Sequence, residues 1–110
     1  MPGSGYTYVC EFDVLKEGLP RRIEVEGVPV ALVLTGQQLF AIHDVCSHSA
    51  VSLSEGEVDG FTVECWLHAS RFDLRTGQPL DRPATRPVPV YPVEVEDGGV
   101  YAHVVPRTER

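Results

Sequence analysis

Dense glycine and proline punctuation most constrains what this chain can fold into. The 110 residues include 10 Gly and 9 Pro, and the segments between them are short and rich in Val, Ile, Leu, Tyr and Phe. Such segments bounded by turn residues are typical of strands, and no run of ten or more residues has the apolar spacing of a helix. The sequence therefore predicts a small all-β sandwich or barrel built from antiparallel strands.

The order of apolar residues places several of these strands. Residues 6–12 alternate with the period of two that is typical of a half-buried strand. Residues 28–34 are nearly continuously apolar, and Thr35-Gly36 turns them into residues 39–45, so we expect a central hairpin. Residues 88–96 begin Val-Pro-Val-Tyr-Pro. Prolines cannot donate to a ladder, so we expect the first half of this strand at a sheet edge.

Length and charge limit the classes of function. At 110 residues the chain has room for one hydrophobic core. Its net charge of -7 disfavours nucleic acid and anionic lipid as partners, and no apolar stretch approaches the about 18 residues of a membrane span. Three cysteines cannot all pair within one chain, and no charged segment followed by an apolar run opens the sequence. We therefore expect a cytoplasmic protein with reduced or metal-bound cysteines and no nucleic-acid or membrane partner.

Two short Cys/His pairs carry the chemistry of the chain, Cys46-Ser47-His48 and Cys65-Trp66-Leu67-His68. Thiolate and neutral imidazole are ligands of transition metals, and four such residues at this spacing are improbable by accident. Two centres fit the set formed by Cys46, His48, Cys65 and His68. One is a tetrahedral zinc, and the other is a [2Fe–2S] cluster with two Cys on one iron and two His on the other.

The order of the ligands favours the iron–sulfur cluster. Zinc fingers usually pair two cysteines on a hairpin with two histidines on a helix, whereas here each segment supplies one of each and no helix is predicted. Mixed pairs on two facing loops allow both cysteines to reach one iron and both histidines to reach the other. A structural zinc-binding module remains the alternative from another class.

At these residues the sequence resembles the Rieske-type [2Fe–2S] ferredoxins of bacterial aromatic-ring-hydroxylating dioxygenase systems. The resemblance is carried by CSHSAVSLSEGEVDG at 46–60 and ECWLHASRFDLRTG at 64–77, and it covers nearly the whole chain. It implies one Rieske ferredoxin domain over residues 1–110, with a β base at 1–41 and 85–110 and an inserted cluster-binding subdomain at 42–84.

The family resemblance implies an electron carrier and not an enzyme. Such a ferredoxin, expected as a monomer, passes single electrons from a flavin NAD(P)H-dependent reductase to a terminal oxygenase that attacks aromatic hydrocarbons or heteroaromatic compounds. The chain agrees, because it is too short for the 2-His-1-carboxylate iron site of an oxygenase and has no Gly-rich dinucleotide fingerprint. The alternative with the same chemistry is a Rieske subunit of a nitrite reductase or another oxygenase.

The resemblance also assigns residues around the cluster. Trp66 and Leu67 lie between two ligands and are expected to shield the cluster from water, and Pro83 resembles the proline loop that covers it. Respiratory Rieske proteins add a disulfide between the two loops, but Val51 and Leu67 occupy those positions here. The chain is therefore expected to group with the disulfide-free ferredoxins.

Hydrogen bonds to the cluster sulfurs tune its reduction potential. The high-potential respiratory pattern has a serine and a tyrosine as donors, and these positions are Ser70 and Phe72 here. One donor therefore remains and one is absent, whereas many dioxygenase ferredoxins have glycine at the first position. We expect a potential in the low half of the roughly −150 to +300 mV span, above that of relatives with glycine.

The remaining cysteine and histidines lie outside the ligand spacing. Cys10 is expected to be a buried apolar side chain of the first strand, and His43 and His103 are expected to be packed or surface residues.

Charge is distributed unevenly along the chain. Residues 23–70 contain no Lys or Arg but seven carboxylates, and four arginines follow in residues 71–86. The carboxylates are Glu24, Glu26, Asp44, Glu55, Glu57, Asp59 and Glu64, and the arginines are Arg71, Arg75, Arg82 and Arg86. This distribution predicts an acidic side and a basic side that orient protein partners.

Overall fold

The computed structural model describes residues 5–47, 51–67, 69–82 and 84–104. In chain order the elements are β1 Thr7–Glu11, a 3₁₀ turn Phe12–Val14, β2 Arg21–Val25, β3 Val28–Thr35, β4 Gln38–His43, a 3₁₀ turn Leu53–Glu55, β5 Glu57–Asp59, β6 Thr62–Glu64, β7 Arg71–Asp73, β8 Val90–Tyr91, β9 Val93–Glu96 and β10 Gly99–Ala102. These strands form three sheets with the orders β1-β10-β9, β2-β3-β4-β8 and β5-β6-β7, and every pairing is antiparallel. The all-β prediction is confirmed. Within the described residues, no helix has the length and apolar character needed to cross a membrane.

Two-residue turns set the register of three hairpins. Glu26-Gly27, Gly36-Gln37 and Asp97-Gly98 have positive φ at both positions, which matches the twist of the flanking strands. The expected central hairpin is β3–β4, in which Thr35 pairs with Gln38 across the Gly36-Gln37 turn.

The chain passes from the four-stranded sheet to the sheet β1-β10-β9 at Pro92. β8 lies at the edge of the four-stranded sheet, as predicted for the proline-rich first half of residues 88–96. Pro92 separates β8 from β9, which pairs with β10 in a different sheet. A proline has no N–H to donate, so the hydrogen-bond ladder of the four-stranded sheet ends at Pro92.

The first strand differs from its predicted alternation. Its pairing with β10 shifts register between Tyr8 and Cys10, so Val9 and Cys10 both pack against the core while Tyr8 is 50% exposed. The strand also ends at Glu11, and Phe12 begins a 3₁₀ turn. A one-residue bulge inverts the facing of side chains, and the sequence carries no glycine or proline that marks it.

The central hairpin is buried on both faces and separates two hydrophobic clusters. Val30 and Leu32 of β3 point into one cluster together with β10. Ala31 and Val33 point into the other, which contains the segments after β4 and around β7. This two-sided burial explains the continuous apolar run of β3. The cysteine-bearing segments pack against one face of β3.

Candidate metal centre

The two cysteines of the predicted ligand set meet in one buried cluster. Cys46 follows β4 and Cys65 follows β6, and their exposed fractions are 3% and 0%. Both pack in the cluster on the second face of the central hairpin, where Leu53 and Phe72 are fully buried. The fold thus brings together two thiols that are nineteen positions apart in the sequence.

Each cysteine begins a loop that closes on itself in the same way. The N–H of Cys46 donates to the carbonyl of Val51 at 2.9 Å, and the N–H of Cys65 donates to the carbonyl of Ser70 at 2.7 Å. In the second loop Ala69 also donates to the carbonyl of Cys65 at 2.8 Å and has a φ of 62°. Two loops with the same closure therefore present their cysteines from equivalent positions.

The other two predicted ligands, His48 and His68, lie outside the described residues, as does Pro83. The structure therefore brings the two cysteines into one cluster, and the ligand set itself remains a prediction. The chemistry of the donors fits a Rieske centre, because two thiols and two imidazoles are its ligands. When bound, such a cluster accepts and releases one electron at a time.

Ser70 is fully buried at the end of the second loop. Its hydroxyl oxygen accepts the N–H of Ala84 at 3.2 Å, so it joins the second loop to the segment next to Pro83. Phe72 occupies the position of the respiratory tyrosine and is fully buried in the apolar cluster. Whether the Ser70 hydroxyl donates to the cluster remains a prediction.

Residues 79–82 and 84–86, called the strap here, contact both cysteine loops. Leu80 donates to the carbonyl of Arg71 at 2.7 Å, and the Arg71 guanidinium binds Asp81 at 2.6 Å and 3.2 Å. On the other side, the Ser47 hydroxyl donates to the carbonyl of Arg86 at 2.6 Å. The Arg71 guanidinium also lowers the pKa of the Asp81 carboxyl below its ordinary value. The sequence predicts a proline loop at Pro83, but it gives no sign of these contacts, since they join residues that no motif relates.

Two apolar side chains of the second loop face solvent. Trp66 is 51% exposed and Leu67 is 44% exposed, so Trp66 is not part of the core. Trp66 lines a groove together with Glu55, Glu57 and Glu64. An exposed aromatic group with carboxylates around it is thus adjacent to Cys65, and shielding of the cluster by these side chains remains a prediction.

The histidines outside the ligand spacing are packed, as expected. Cys10 packs against the core but is only half-buried, not buried as expected, and burial raises the pKa of its thiol. His43 Nδ1 lies 3.2 Å from the Tyr91 hydroxyl, and the ring of His103 lies 5.4 Å from that of Tyr6.

The structure modifies the predicted separation of charge. Arg71 is paired with Asp81, and Arg75 is paired with Asp73 at 3.0 Å, so local carboxylates offset part of the expected basic side. Asp44 was grouped with the surface carboxylates by its place in the sequence, but it is fully buried. The acidic side is therefore best represented by the glutamates beside Trp66.

Comparison with known proteins identifies the family of this chain. Residues 5–92 match the family model described as the Rieske [2Fe-2S] domain. The chain is 40% identical to Ferredoxin CarAc of Metapseudomonas resinovorans, over 84% of this chain and 88% of the relative. It is 49% identical to the anthranilate 1,2-dioxygenase ferredoxin subunit of Burkholderia cepacia, over 69% and 70%.

The solved structures include a similar protein in a complex. It is described as a complex of reduced oxygenase and oxidized ferredoxin in carbazole 1,9a-dioxygenase. Its similar chain has a TM-score of 0.86 and 36% identity, and the match covers 97% of this chain and all of that one. These matches favour the iron–sulfur interpretation over a zinc module and a dioxygenase ferredoxin over a nitrite reductase subunit. The chain belongs to the Rieske [2Fe–2S] family, among the ferredoxins of aromatic-ring dioxygenase systems, and its cofactor is one Rieske cluster.

Proposed function

We propose that this chain carries single electrons from a flavin NAD(P)H-dependent ferredoxin reductase to the terminal oxygenase of an aromatic-ring dioxygenase. The observation that carries the proposal is the meeting of Cys46 and Cys65 in one buried cluster at the heads of two closed loops. The chain acts as an electron-transfer component and not as the oxygenase, since its relatives are ferredoxin subunits. It works in the cytoplasm, where NAD(P)H is available to its reductase, and as a monomer.

In this proposal Cys46 and Cys65 bind one iron and His48 and His68 bind the other. The two cysteines lie on the buried side of the loops, which keeps water from the sulfur ligands. The cluster-binding subdomain extends over 42–84 and rests on a β base formed by 1–41 and 85–110. The two-faced burial of β3 supports this division, because one of its faces packs against the loops and the other against β10.

Partners dock where the second loop is exposed. Trp66 and Leu67 offer apolar surface beside a ligand, and Glu55, Glu57 and Glu64 supply a charged rim on one side. Apolar contact inside a polar rim is typical of transient protein interfaces, and the rim favours a partner with basic residues. The known complex of a similar ferredoxin with its oxygenase supports the oxygenase as one such partner.

Spectroscopy with ligand variants tests the centre. The purified chain is expected to be red-brown, and its reduced form is expected to give an EPR signal with an average g below that of an all-thiolate cluster. Cys46→Ser and Cys65→Ser should lose this signal, whereas Cys10→Ser is the matched control that keeps it. A colourless zinc-containing chain, or loss of the signal in Cys10→Ser alone, would contradict the assignment.

The histidine ligands have matched controls of their own. His48→Gln and His68→Gln should each lose the Rieske signal, whereas His43→Gln and His103→Gln should retain it, because the last two pack against Tyr91 and Tyr6. Retention of an unchanged signal in His48→Gln or His68→Gln would remove that residue from the set.

A reconstituted chain of electron transfer tests the role. Reduction of the ferredoxin by NAD(P)H should require a flavin reductase, and reoxidation should require a ring-hydroxylating oxygenase with its aromatic substrate and dioxygen. Product should form in proportion to NAD(P)H consumed only when all three proteins are present. Equal product formation without the ferredoxin would refute the carrier role.

A further inference from the structure

A buried carboxylate lies at the base of the first cysteine loop. Asp44 directly follows β4. It is the only charged residue among those that the structure describes whose side chain is fully buried. Its Oδ2 accepts hydrogen bonds from Arg22 Nη1 at 2.8 Å and Ser54 Oγ at 2.7 Å. Its Oδ1 accepts the backbone N–H of Ser54 at 2.6 Å. Burying a charge is unfavourable unless it is paired and hydrogen-bonded, and all these conditions are met here.

These contacts join the two ends of the loop. Asp44 precedes Cys46 by two positions, and Ser54 lies in the 3₁₀ turn Leu53–Glu55 beyond the loop. Both hydrogen bonds from Ser54 therefore close the chain between residues 44 and 54 around the cysteine. The backbone N–H of Asp44 also donates to the carbonyl of Pro29 at 3.0 Å, which ties the first end of the loop to β3.

Arg22 fixes this closed loop to the four-stranded sheet. The residue belongs to β2, which is separated from β4 by β3, so its side chain reaches past β3 to contact Asp44. The same Nη1 atom lies 3.2 Å from Ser52 Oγ on the far side of the loop. Arg22 thus contacts the loop at both ends, and its guanidinium offsets the buried charge.

In the part of the second loop that the structure describes, no buried carboxylate joins the two ends. The loop closes through backbone hydrogen bonds between Cys65 and Ser70 and between Ala69 and Cys65, with contacts from the strap at residues 79–86. The first loop has a longer span between its anchored ends. A longer span loses more conformational entropy on closure, which gives a physical reason for a strong anchor at its base.

We propose that Asp44 is a positioning residue that, with Arg22 and Ser54, holds the first loop closed and preorganised for cluster binding. The inference rests on the proposed function in one respect, namely that Cys46 is a cluster ligand. Outer residues that hold metal ligands in place commonly change metal affinity by about 10–100-fold when they are mutated. Asp44 acts in this way through the loop, without contact with a partner protein.

The test measures iron release from the holoprotein to an excess of chelator, well below the unfolding temperature, together with the EPR spectrum of the reduced form. Asp44→Asn keeps the shape of the side chain and removes its charge, and it should release iron about 10–100-fold faster with altered g values or line width. Arg22→Gln should also release iron faster than the wild type. Arg22→Lys, which keeps the positive charge, should release iron more slowly than Arg22→Gln. Ser54→Ala, which keeps the ion pair, should be intermediate and guards against a variant that fails to fold.

Asp73→Asn is the matched control. Asp73 likewise accepts a backbone N–H and a guanidinium, both from Arg75, but it closes a turn without a predicted ligand. This variant should release iron at the wild-type rate. An equal acceleration in Asp73→Asn, or a wild-type rate and spectrum in Asp44→Asn, would overturn the proposal.

Hydrogen exchange separates this inference from the proposed function. The amides between Asp44 and Ser54 should exchange faster in Asp44→Asn than in the wild type, and those in β9 and β10 should not change. A wild-type chain without a Rieske spectrum would contradict the proposed function, and exchange in this loop would then decide whether Asp44 closes it. Unchanged exchange in the loop would refute the closure itself.

Discussion

Replacement of Ser70 by alanine separates two roles of one buried hydroxyl. The Ser70 oxygen accepts the N–H of Ala84 at 3.2 Å, and this bond does not use the hydroxyl hydrogen. That hydrogen is the donor which the family resemblance directs at the cluster. The Ala84 bond is the same in both oxidation states, whereas a bond to the cluster is stronger in the reduced state, which carries more negative charge.

The two roles have different magnitudes and different observables. Loss of the acceptor leaves the N–H of the buried Ala84 without its side-chain partner, which costs about 1–3 kcal/mol of stability in either oxidation state. A hydrogen bond to a charged acceptor contributes about 1.5–3 kcal/mol. If roughly half of that distinguishes the two oxidation states, Ser70→Ala lowers the potential by about 30–65 mV, because 59 mV corresponds to a tenfold change for one electron.

Protein-film voltammetry at fixed pH and ionic strength measures the shift, and urea unfolding measures the stability. Thr35→Val is a suitable control, because it removes a buried hydroxyl that donates to the carbonyl of Gly60 at 2.8 Å, away from the cysteine loops. It should lower stability and leave the potential unchanged. A destabilised Ser70→Ala with an intact cluster and a potential within about 15 mV of wild type, a quarter of a tenfold step, would refute donation to the cluster.

Three further predictions follow from the structure. Gly56→Ala should lower the free energy of unfolding by about 3 kcal/mol or more, because the added Cβ overlaps the backbone carbonyl of Glu64. The control Gly27→Ala lies in open space but at positive φ, and it should lower that free energy by only about 1 kcal/mol. Equal losses in urea unfolding would contradict the overlap. The Arg75 guanidinium lowers the pKa of the Asp73 carboxyl below its ordinary value. The stabilisation from this pair is therefore present above the pKa of the unfolded state and is lost as the pH falls through the pKa of the folded state. In thermal unfolding, the Asp73→Asn variant should therefore lose less stability on acidification below about pH 4 than the wild type does. Parallel curves of stability against pH for the two proteins would disprove this linkage. Charge reversal of Glu55 and Glu57 to lysine should slow reduction by the reductase about tenfold at low salt and little at high salt, and stopped-flow rates that are equal at all ionic strengths would exclude steering by these residues.

Much of the fold was accessible from the sequence because its signals are local. The turn signal at Thr35-Gly36 and the continuous apolar run of β3 suffice for the central hairpin, although the turn itself is Gly36-Gln37. The prolines of 88–96 suffice for the edge position of β8. The bulge of β1 was not accessible, because its cause is the packing of both Val9 and Cys10 against the core. The three-residue strand β5 was also missed, since so short a segment has almost no pattern of its own.

The candidate site divides in the same way. Residue type and spacing were enough to select Cys46 and Cys65, and the fold brings them into one cluster. Asp44 was interpreted as part of an acidic surface, because sequence distance to Arg22 and Ser54 gives no sign that the three residues meet. Interactions between distant segments decide burial, so residues that hold ligands in place are harder to recognise than the ligands themselves.

The two loops differ in what their environment allows them to do. The second is held by backbone hydrogen bonds and by the strap from 79 to 86, and it exposes Trp66 and Leu67 to solvent. The first is anchored by an ion pair between the buried Asp44 and the exposed Arg22. Loss of Arg22 would leave the buried carboxylate without its cation, which is a costly change. If both proposals hold, we expect firm anchorage behind the cysteines to limit the structural change on electron transfer, and exposure at Trp66 to shorten the distance to a docked partner. The two properties then belong to different parts of one small site. A substitution at Trp66 should weaken docking without faster iron release, and a substitution at Asp44 should speed iron release without weaker docking.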